Sequence, residues 1–440
     1  MAEQVSSLKT GIKYKDTPIG KIPVDWEVKR LEDTANNEKY SFTGGPFGSD
    51  LKEDSYTDDG VRVIQLQNIG DGKFLNAYKI FTSEEKANQL KNCNIYPGDI
   101  IIAKMADPVA RACIIPDEDK RYLMASDGIR LSINKEKYDV NFMLYAINSP
   151  NFRKNAESHS TGSTRLRIGL TELRNLLIAI PPLKDQKKIA EILTTVDEAI
   201  EKTDQIIEKT KEAKKGLMQR LLTRGIGHKR FKKTEIGEIP AEWEVVKIGG
   251  IIYLQGGFAF KSSDYKENGI PLIRITNVSY SGITLNECVY LPLSFAGNCK
   301  KFLVEPGDIL VAMSGATTGK VGVVSNKVLP ALFNQRVGRF VIKDSNFITK
   351  CYLAQIVLTK RFKEALLTDA AGGAQPNVSG KNIEKIIIPL PPLPEQMHIA
   401  EILSSVDEEI EKETNHKEQL EVLKKGLMQV LLTGKIRVSV

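Results

Sequence analysis

The sequence has few of the residues and segments that mark a disulfide-rich, metal-binding or membrane protein. Its 440 residues include five cysteines and four histidines, and neither type recurs at the spacing of metal ligands. The cysteines form no CxxC pair, which argues against a disulfide framework. No stretch approaches the roughly 18 apolar residues of a membrane helix, and the opening segment MAEQVSSLKT lacks the apolar run of a signal peptide. We therefore expect a cytoplasmic protein with no membrane association and no metal site.

Motifs for catalysis are also missing. The segment SGATTGKV (314–321) resembles a phosphate-binding loop, but the spacing from Gly315 to Gly319 is one residue short. In addition, Val321 stands where Ser or Thr would coordinate magnesium. No NPPY or DPPF motif of an amino-methyltransferase occurs, and no GxGxG follows a predicted strand. The sequence therefore predicts a chain that is not an enzyme and binds no cofactor itself.

The chain carries a mild excess of positive charge. Its 62 Lys and Arg residues against 55 Asp and Glu residues give a net charge of +7. This excess favours an anionic partner, but by itself it does not establish binding to nucleic acid.

A long internal repeat is the most informative feature of the sequence. The segment TPIGKIPVDWEV (17–28) returns as TEIGEIPAEWEV (234–245), and residues 181–223 return without a gap at 391–433. Between Gln186–Thr223 and Gln396–Thr433, 22 of 38 positions are identical. The chain is therefore two copies of one unit, which is typical of architectures that present two related surfaces.

The middle of each copy differs from the other far more than its flanks do. The first copy has TGGPFGSDL (43–51) where the second has QGGFAFKSS (255–263), and AKMADPVAR (103–111) stands against VAMSGATTGK (311–320). This pattern indicates one common framework that carries two different binding surfaces.

Each middle region is predicted to be mixed α/β, because short β-branched runs alternate with helical periodicity. Regular heptads after Pro181-Pro182 and Pro391-Pro392 predict two helices about 55 Å long, paired as an antiparallel coiled coil. The predicted seam is apolar at both ends and polar in its middle. Its apolar members are Ile189, Leu193, Val196, Ile200, Ile207, Leu217 and Leu221 in the first helix, and Ile399, Leu403, Val406, Ile410, Leu420, Leu427 and Leu431 in the second. The expected segments are a first mixed α/β domain (1–180), a first spacer helix (181–223), a linker with the second mixed α/β domain (224–390), and a second spacer helix with the tail (391–440).

If the anionic partner is duplex DNA, the candidates for contact with it are arginine, lysine and amide side chains in the variable middles. Cations bind phosphates, and forked donors bind base edges, with Arg favouring guanine and Gln or Asn favouring adenine. At an offset of 210, Arg165 corresponds to Gln375 and Arg167 to Asn377, so equivalent loops would carry different chemistry. The candidates in the first copy are Lys104, Arg111, Arg130, Arg165 and Arg167, and those in the second are Arg274, Asn277, Lys320, Gln335, Arg336, Gln375 and Asn377.

Several motifs, taken together, resemble those of the specificity subunit of type I restriction–modification systems. They are the duplicated IGxIPxxWE entry, the GPFGS turn (45–49), the PGDI segments, and the repeated PPLxxQxxIAEIL and KKGLMQxLLT helices. The resemblance covers essentially the whole chain, twice over. It implies two target recognition domains that each read one half of a split duplex DNA site.

The same resemblance implies partners. Two modification (methyltransferase) subunits would dock on repeated surfaces, for which Trp26, Trp243, Met218 and Met428 are the candidates. Restriction (motor–nuclease) subunits would join the larger complex. S-adenosylmethionine, ATP and magnesium would belong to these partners. The alternative from another class is a coiled-coil scaffold that holds two protein-binding modules.

Overall fold

The computed structural model describes residues 13–105, 107–162, 165–368 and 378–438. The chain forms two compact units, Met1–Asp204 with Asn415–Val440, and Gln205–Thr414. We call them unit 1 and unit 2. Each long helix contributes to both units, whereas the sequence-based boundaries set the helices apart as separate segments.

Unit 1 is built on two small sheets. The first has the order β10-β9-β12-β4 and is antiparallel throughout. The second has the order β5-β7-β6-β11-β8, with one parallel pair between β6 and β11. The strands are β1 (Tyr14–Thr17), β2 (Gly20–Pro23), β3 (Glu27–Arg30), β4 (Phe42–Gly44), β5 (Tyr56–Thr57), β6 (Val61–Ile64), β7 (Phe81–Thr82), β8 (Asn94–Ile95), β9 (Ile100–Ala103), β10 (Ala112–Ile114), β11 (Tyr122–Met124), β12 (Gly128–Leu131) and β13 (Leu177–Ile180). The helices that begin in this half of the chain are α1 (Glu84–Gln89), α2 (Val140–Ile147), α3 (Pro150–Ser158), α4 (Leu170–Asn175) and α5 (Leu183–Arg224).

Unit 2 repeats this plan with fewer strands in its second sheet. Its main antiparallel sheet has the order β17-β25-β22-β23, and a three-stranded sheet has the order β21-β18-β24. The strands are β14 (Phe231–Thr234), β15 (Gly237–Pro240), β16 (Glu244–Lys247), β17 (Ile252–Gly256), β18 (Ile270–Ile273), β19 (Val278–Ser279), β20 (Gly282–Ile283), β21 (Val289–Leu291), β22 (Ile309–Ala312), β23 (Val321–Val323), β24 (Leu332–Phe333), β25 (Val337–Ile342) and β26 (Ile387–Leu390). The helices are α6 (Ser294–Asn298), α7 (Lys350–Val357), α8 (Lys360–Thr368), α9 (Gly380–Glu384) and α10 (Leu393–Leu431).

One inner strand of each main sheet, β9 in unit 1 and β22 in unit 2, is apolar along its whole length because both of its faces are covered. We call it the central strand. All four residues of β9 are buried, and so are all four residues of β22. Such continuous burial is typical of a strand that lies between two layers rather than at a solvated face. These two strands therefore fix the loops that follow their carboxyl ends.

The two long helices pair antiparallel, as the heptads predict. Within unit 1, Lys424 Nζ lies 2.6 Å from Asp197 Oδ1, and Lys417 Nζ lies 2.7 Å from Asp204 Oδ1. Within unit 2, Lys214 Nζ lies 2.6 Å from Asp407 Oδ1. The residue numbers in each pair sum to 621, so one register holds in both units. Lys214, Lys417 and Lys424 occupy the polar middle of the predicted seam, which explains why that stretch is not apolar.

The apolar ends of the seam merge with the cores of the units. Ile189 and Leu193 of α5 lie in the same buried cluster of unit 1 as Leu431. Leu221 lies with Ile399 and Leu403 in the corresponding cluster of unit 2. Of the remaining predicted seam residues, Val196, Ile207 and Leu420 are buried, and Ile200, Leu217, Val406, Ile410 and Leu427 are half-buried.

A buried glutamine joins each long helix to its recognition domain. In unit 1, Asp139 N donates to Gln186 Oε1 over 2.9 Å, and Gln186 Nε2 donates to the Pro181 carbonyl. In unit 2, Thr349 N donates to Gln396 Oε1, also over 2.9 Å. Asp139 and Thr349 are the N-caps of α2 and α7. The glutamine of the repeated PPLxxQ motif therefore fixes where the spacer helix begins relative to the domain.

In the described part of the chain, no helix is both long enough and apolar enough to span a membrane.

Candidate nucleic-acid interface

Three loops meet in each unit where the central strand ends, and we call this place the strand-end corner. The corner is held mainly by backbone hydrogen bonds, so the same backbone can carry different side chains in the two units. It consists of residues 103–105, 125–128 and 167–168 in unit 1, and residues 312–314, 334–337 and 378 in unit 2.

The corner of unit 1 presents a cluster of cations around one carboxylate. Lys104 Nζ donates to the Ser126 carbonyl over 2.9 Å, and Arg167 Nη2 lies 2.8 Å from Asp127 Oδ1. Burial lowers the pKa of the Lys104 ammonium, and Arg167 nearby lowers it further. The Arg167 side chain is 52% exposed, and Arg165 is also exposed. The cleft beside Lys104 and Arg167 has a volume of about 350 Å³. Arg165 and Arg167 are therefore accessible, whereas the Lys104 ammonium is partly engaged within the protein.

The corner of unit 2 presents exposed Gln335 and Arg336. Among the described residues, no carboxylate pairs with the Arg336 guanidinium. Met313, which follows the central strand, is half-buried. Lys320, at the far end of the same loop, is half-buried as well.

A second loop site follows β6 and β18. In unit 2, Arg274 N donates to Asn277 Oδ1 over 2.9 Å, and the Arg274 guanidinium donates to the Glu287 carbonyl. In unit 1, Gln65 N donates to Asn68 Oδ1 in the same way. Gln65 is half-buried. Residue type does not predict it as a site residue, but aligning the two copies at an offset of 209 pairs Gln65 with Arg274.

Two predicted DNA contacts are wrong because the side chains are buried. Arg130 is 8% exposed, and its Nε donates to Asp99 Oδ2 over 2.7 Å. Asn277 is 1% exposed, and its amide donates to the Asn286 carbonyl. Both side chains use their hydrogen-bonding groups inside the protein, where a duplex has no access. Arg111 is half-buried and donates to the Leu66 carbonyl over 3.0 Å, so it braces the neighbouring turn.

The proposed docking tryptophans are also buried. Trp26 and Trp243 lie in the cores of units 1 and 2, so the prediction that they form part of a docking surface is wrong. Met218 and Met428 are half-buried on the spacer helices. Gln375 and Asn377 lie outside the described residues.

Comparisons with known proteins agree with this duplicated architecture. The family model described as type I restriction modification DNA specificity domain matches residues 23–212 and 240–422. The chain belongs to this family. The specificity subunit of type I restriction enzyme MjaVIII from Methanocaldococcus jannaschii is 32% identical over 423 residues, which is 95% of each protein. That of EcoBI from Escherichia coli is 24% identical over 380 residues, covering 81% of this chain and 76% of the relative.

Solved structures support the fold of this specificity subunit. A type I restriction–modification S subunit from M. genitalium matches with a TM-score of 0.57 at 16% identity. The match covers 92% of this chain and 96% of that structure. At this identity the match shows the shared fold: two mixed α/β recognition domains with two long helices that pack together.

The described residues contain no group of three or more His, Cys, Asp or Glu side chains placed to hold a metal ion.

Proposed function

We propose that this chain reads a bipartite site in duplex DNA, with one recognition domain for each half-site, and positions modification subunits on it. One observation carries the proposal. Two units with the same strand-end corner present different polar side chains: Arg167 lies beside Asp127 in unit 1, and unit 2 has an exposed Arg336 with no carboxylate partner among the residues that the structure describes. Different donors on one framework would select different half-sites.

The proposed role is recognition without catalysis. Methylation would be performed by two modification subunits, which would extrude the target adenine from the duplex and bind S-adenosylmethionine. Restriction subunits with ATP and magnesium would join the same complex in the cytoplasm. The family resemblance supports these partners.

We place the docking of the modification subunits on the repeated KKGLMQ faces of α5 and α10. Two copies of one partner require two equivalent patches. Met218 and Met428 remain candidates because they are half-buried at equivalent positions. Introducing Glu at both Leu217 and Leu427 should loosen the helix pair and reduce the two-to-one assembly, as measured by mass photometry. Unchanged assembly by this double variant would count heavily against the assignment.

Salt dependence tests the proposed function. The full chain assembled with its modification subunits should bind specific duplex oligonucleotides, and binding should weaken steeply between about 50 and 200 mM salt. A complex with no affinity for duplex DNA would instead favour a scaffold that holds two protein-binding modules.

An exchange of domains tests the division of the site. Replacing residues 30–175 with the corresponding stretch of a relative should change one half-site and leave the other as it was. The measurement is a map of methylated positions in DNA from cells that express the chimera. A change in both half-sites would show that the domains do not read independently.

A further inference from the structure

The strand-end corners of the two units match bond for bond. In unit 1, Lys104 N donates to the Asp127 carbonyl over 2.8 Å, and Ile168 N donates to the Lys104 carbonyl over 2.9 Å. In unit 2, Met313 N donates to the Arg336 carbonyl over 2.9 Å, and Val378 N donates to the Met313 carbonyl over 2.8 Å. Position 104 of unit 1 is therefore equivalent to 313 of unit 2, and position 127 is equivalent to 336.

A glycine holds the loop of the corner in both units. Gly45 N donates to the Gly128 carbonyl, and Gly257 N donates to the Val337 carbonyl. A Cβ on Gly45 would overlap the Ala125 carbonyl oxygen, and a Cβ on Gly257 would overlap that of Asn334. This close approach requires glycine and fixes the backbone that carries Asp127 and Arg336.

The side chains at these matched positions have opposite chemistry. Position 127/336 is Asp in unit 1 and Arg in unit 2. A carboxylate that accepts hydrogen bonds in unit 1 therefore stands where unit 2 has a guanidinium that donates them. Position 104/313 is Lys in unit 1 and Met in unit 2. Lys104 binds the carbonyl of Ser126, next to Asp127. Met313 places no second cation beside Arg336. Both positions therefore differ between the units, and the change at 104/313 avoids two cations side by side in unit 2.

We propose that residue 127 of unit 1 and its equivalent, residue 336 of unit 2, each determine which base pair is accepted at one position of a half-site. The neighbouring equivalent residues 104 and 313 assist in this selection. Arg336 donates to O6 and N7 of a guanine in the second half-site. Asp127 repels the acceptor edge of guanine at the equivalent base pair of the first half-site and positions Arg167 through their ion pair. This inference rests on the proposed function and adds the residues that set specificity.

The first test separates base reading from phosphate binding. The full chain with Arg336→Ala, co-expressed with its modification subunits, is presented with duplexes in which each half-site is randomised. We expect discrimination at one guanine-containing base pair of the second half-site to fall roughly 10- to 100-fold. The first half-site should be unchanged. Uniformly weaker methylation across all sequences would overturn the proposal, because that is the behaviour of a phosphate contact.

The second test transfers the chemistry of unit 2 into unit 1. The double variant Lys104→Met with Asp127→Arg should accept guanine at one base pair of the first half-site where the parent does not. A control with the same charge change, Lys120→Met with Asp119→Arg at exposed positions of the same unit, should keep the parental site. A folded double variant that keeps the parental first half-site would overturn the proposal.

The outcomes distinguish this inference from the proposed function. If the unaltered complex methylates no bipartite site, the proposed function fails. If it does, and Arg336→Ala preserves the second half-site in full, only the present inference fails. Because Arg336 is exposed, Arg336→Ala should leave the fold intact. This single variant therefore tests the inference even if the double variant does not fold.

Discussion

At the scale of single residues, the two copies within one chain distinguish side chains that build the fold from side chains that contact a ligand. Arg130 and Arg339 are equivalent, and each pairs with an equivalent aspartate, Asp99 or Asp308, over 2.7 and 3.0 Å. Asn68 and Asn277 both cap the same turn. These identical residues of the recognition domains are therefore structural, and the exposed Arg336 stands where its counterpart is different.

The errors in the sequence-based site have the same origin. Residue type alone predicts Arg130 and Asn277 as DNA contacts, although each has an identical counterpart in the other copy. Residue type does not predict Asp127, because a carboxylate is not a typical ligand of an anionic phosphate backbone. Burial and hydrogen-bond partners depend on the tertiary fold, so composition and spacing do not reveal them.

The buried glutamine of unit 2 yields a stability prediction. Gln396→Ala removes the acceptor of Thr349 N and leaves the carbonyls of Phe347 and Pro391 without their donor. We expect a loss of about 2–4 kcal/mol in the free energy of unfolding, since buried polar groups lose their partners. Urea unfolding of the full chain measures this loss. Gln219→Ala, at an exposed position of α5, should change stability by less than about 0.5 kcal/mol. Equal effects of the two variants would contradict the assigned role.

Thiol labelling tests the burial of the cysteines. Burial raises the pKa of Cys113 to about 12 and that of Cys93 to about 11. At pH 8 a thiol with a pKa of 12 is ionised in roughly one molecule in 10,000. Iodoacetamide should therefore modify exposed Cys351 in the folded protein, and modify Cys113 only after denaturation. Peptide mass mapping gives the answer, and rapid labelling of Cys113 in the folded chain would contradict the placement.

At the scale of elements, the heptads predicted both the existence and the direction of the helix pair. The ends of the two repeated segments, 181–223 and 391–433, lie within two residues of the ends of α5 and α10. This agreement arises because proline stops and apolar periodicity are local signals. The partners of the polar seam positions were not predicted, since the register of an antiparallel pair depends on contacts between segments far apart in sequence.

A double-mutant cycle tests that register. Lys214→Asp should destabilise unit 2, and Asp407→Lys in the same chain should restore part of the loss. The Lys214 and Asp407 side chains are 16% and 46% exposed, so we expect a coupling of only about 0.5–1 kcal/mol. The exposed Lys211–Glu208 pair within α5 is the matched control and should couple more weakly. Urea unfolding of the four variants of each cycle provides the values, and zero coupling for Lys214 and Asp407 would argue against the register.

At the scale of the whole molecule, the constant register suggests a way to alter the spacing of the two half-sites. Four residues inserted between Thr210 and Lys211, and four more between Ile410 and Glu411, leave the pairs Asp204–Lys417 and Lys214–Asp407 intact. Four residues add about 6 Å and about 40° of rotation. One base pair adds about 3.4 Å and 34–36°. We expect the unspecified gap to lengthen by one or two base pairs while both half-site sequences stay the same.

Mapping of methylated sites measures the gap. The insertion in α5 alone is the control, because it shifts one helix against the other and should reduce assembly. An active double-insertion variant that keeps the parental gap would show that the helices do not set the spacing.

The backbone bonding of the strand-end corner also has a consequence for evolution. The bonds that hold positions 104, 127, 313 and 336 join main-chain atoms, so a substitution there leaves them in place. At exposed Arg336 such a substitution should cost little folding free energy, as exposed changes usually do, whereas half-buried Lys104, Asp127 and Met313 also make side-chain contacts that a substitution would alter. A chain of this kind can therefore pass through many recognition sequences while its stability remains nearly constant. New recognition sequences can then arise by point mutation within the existing fold.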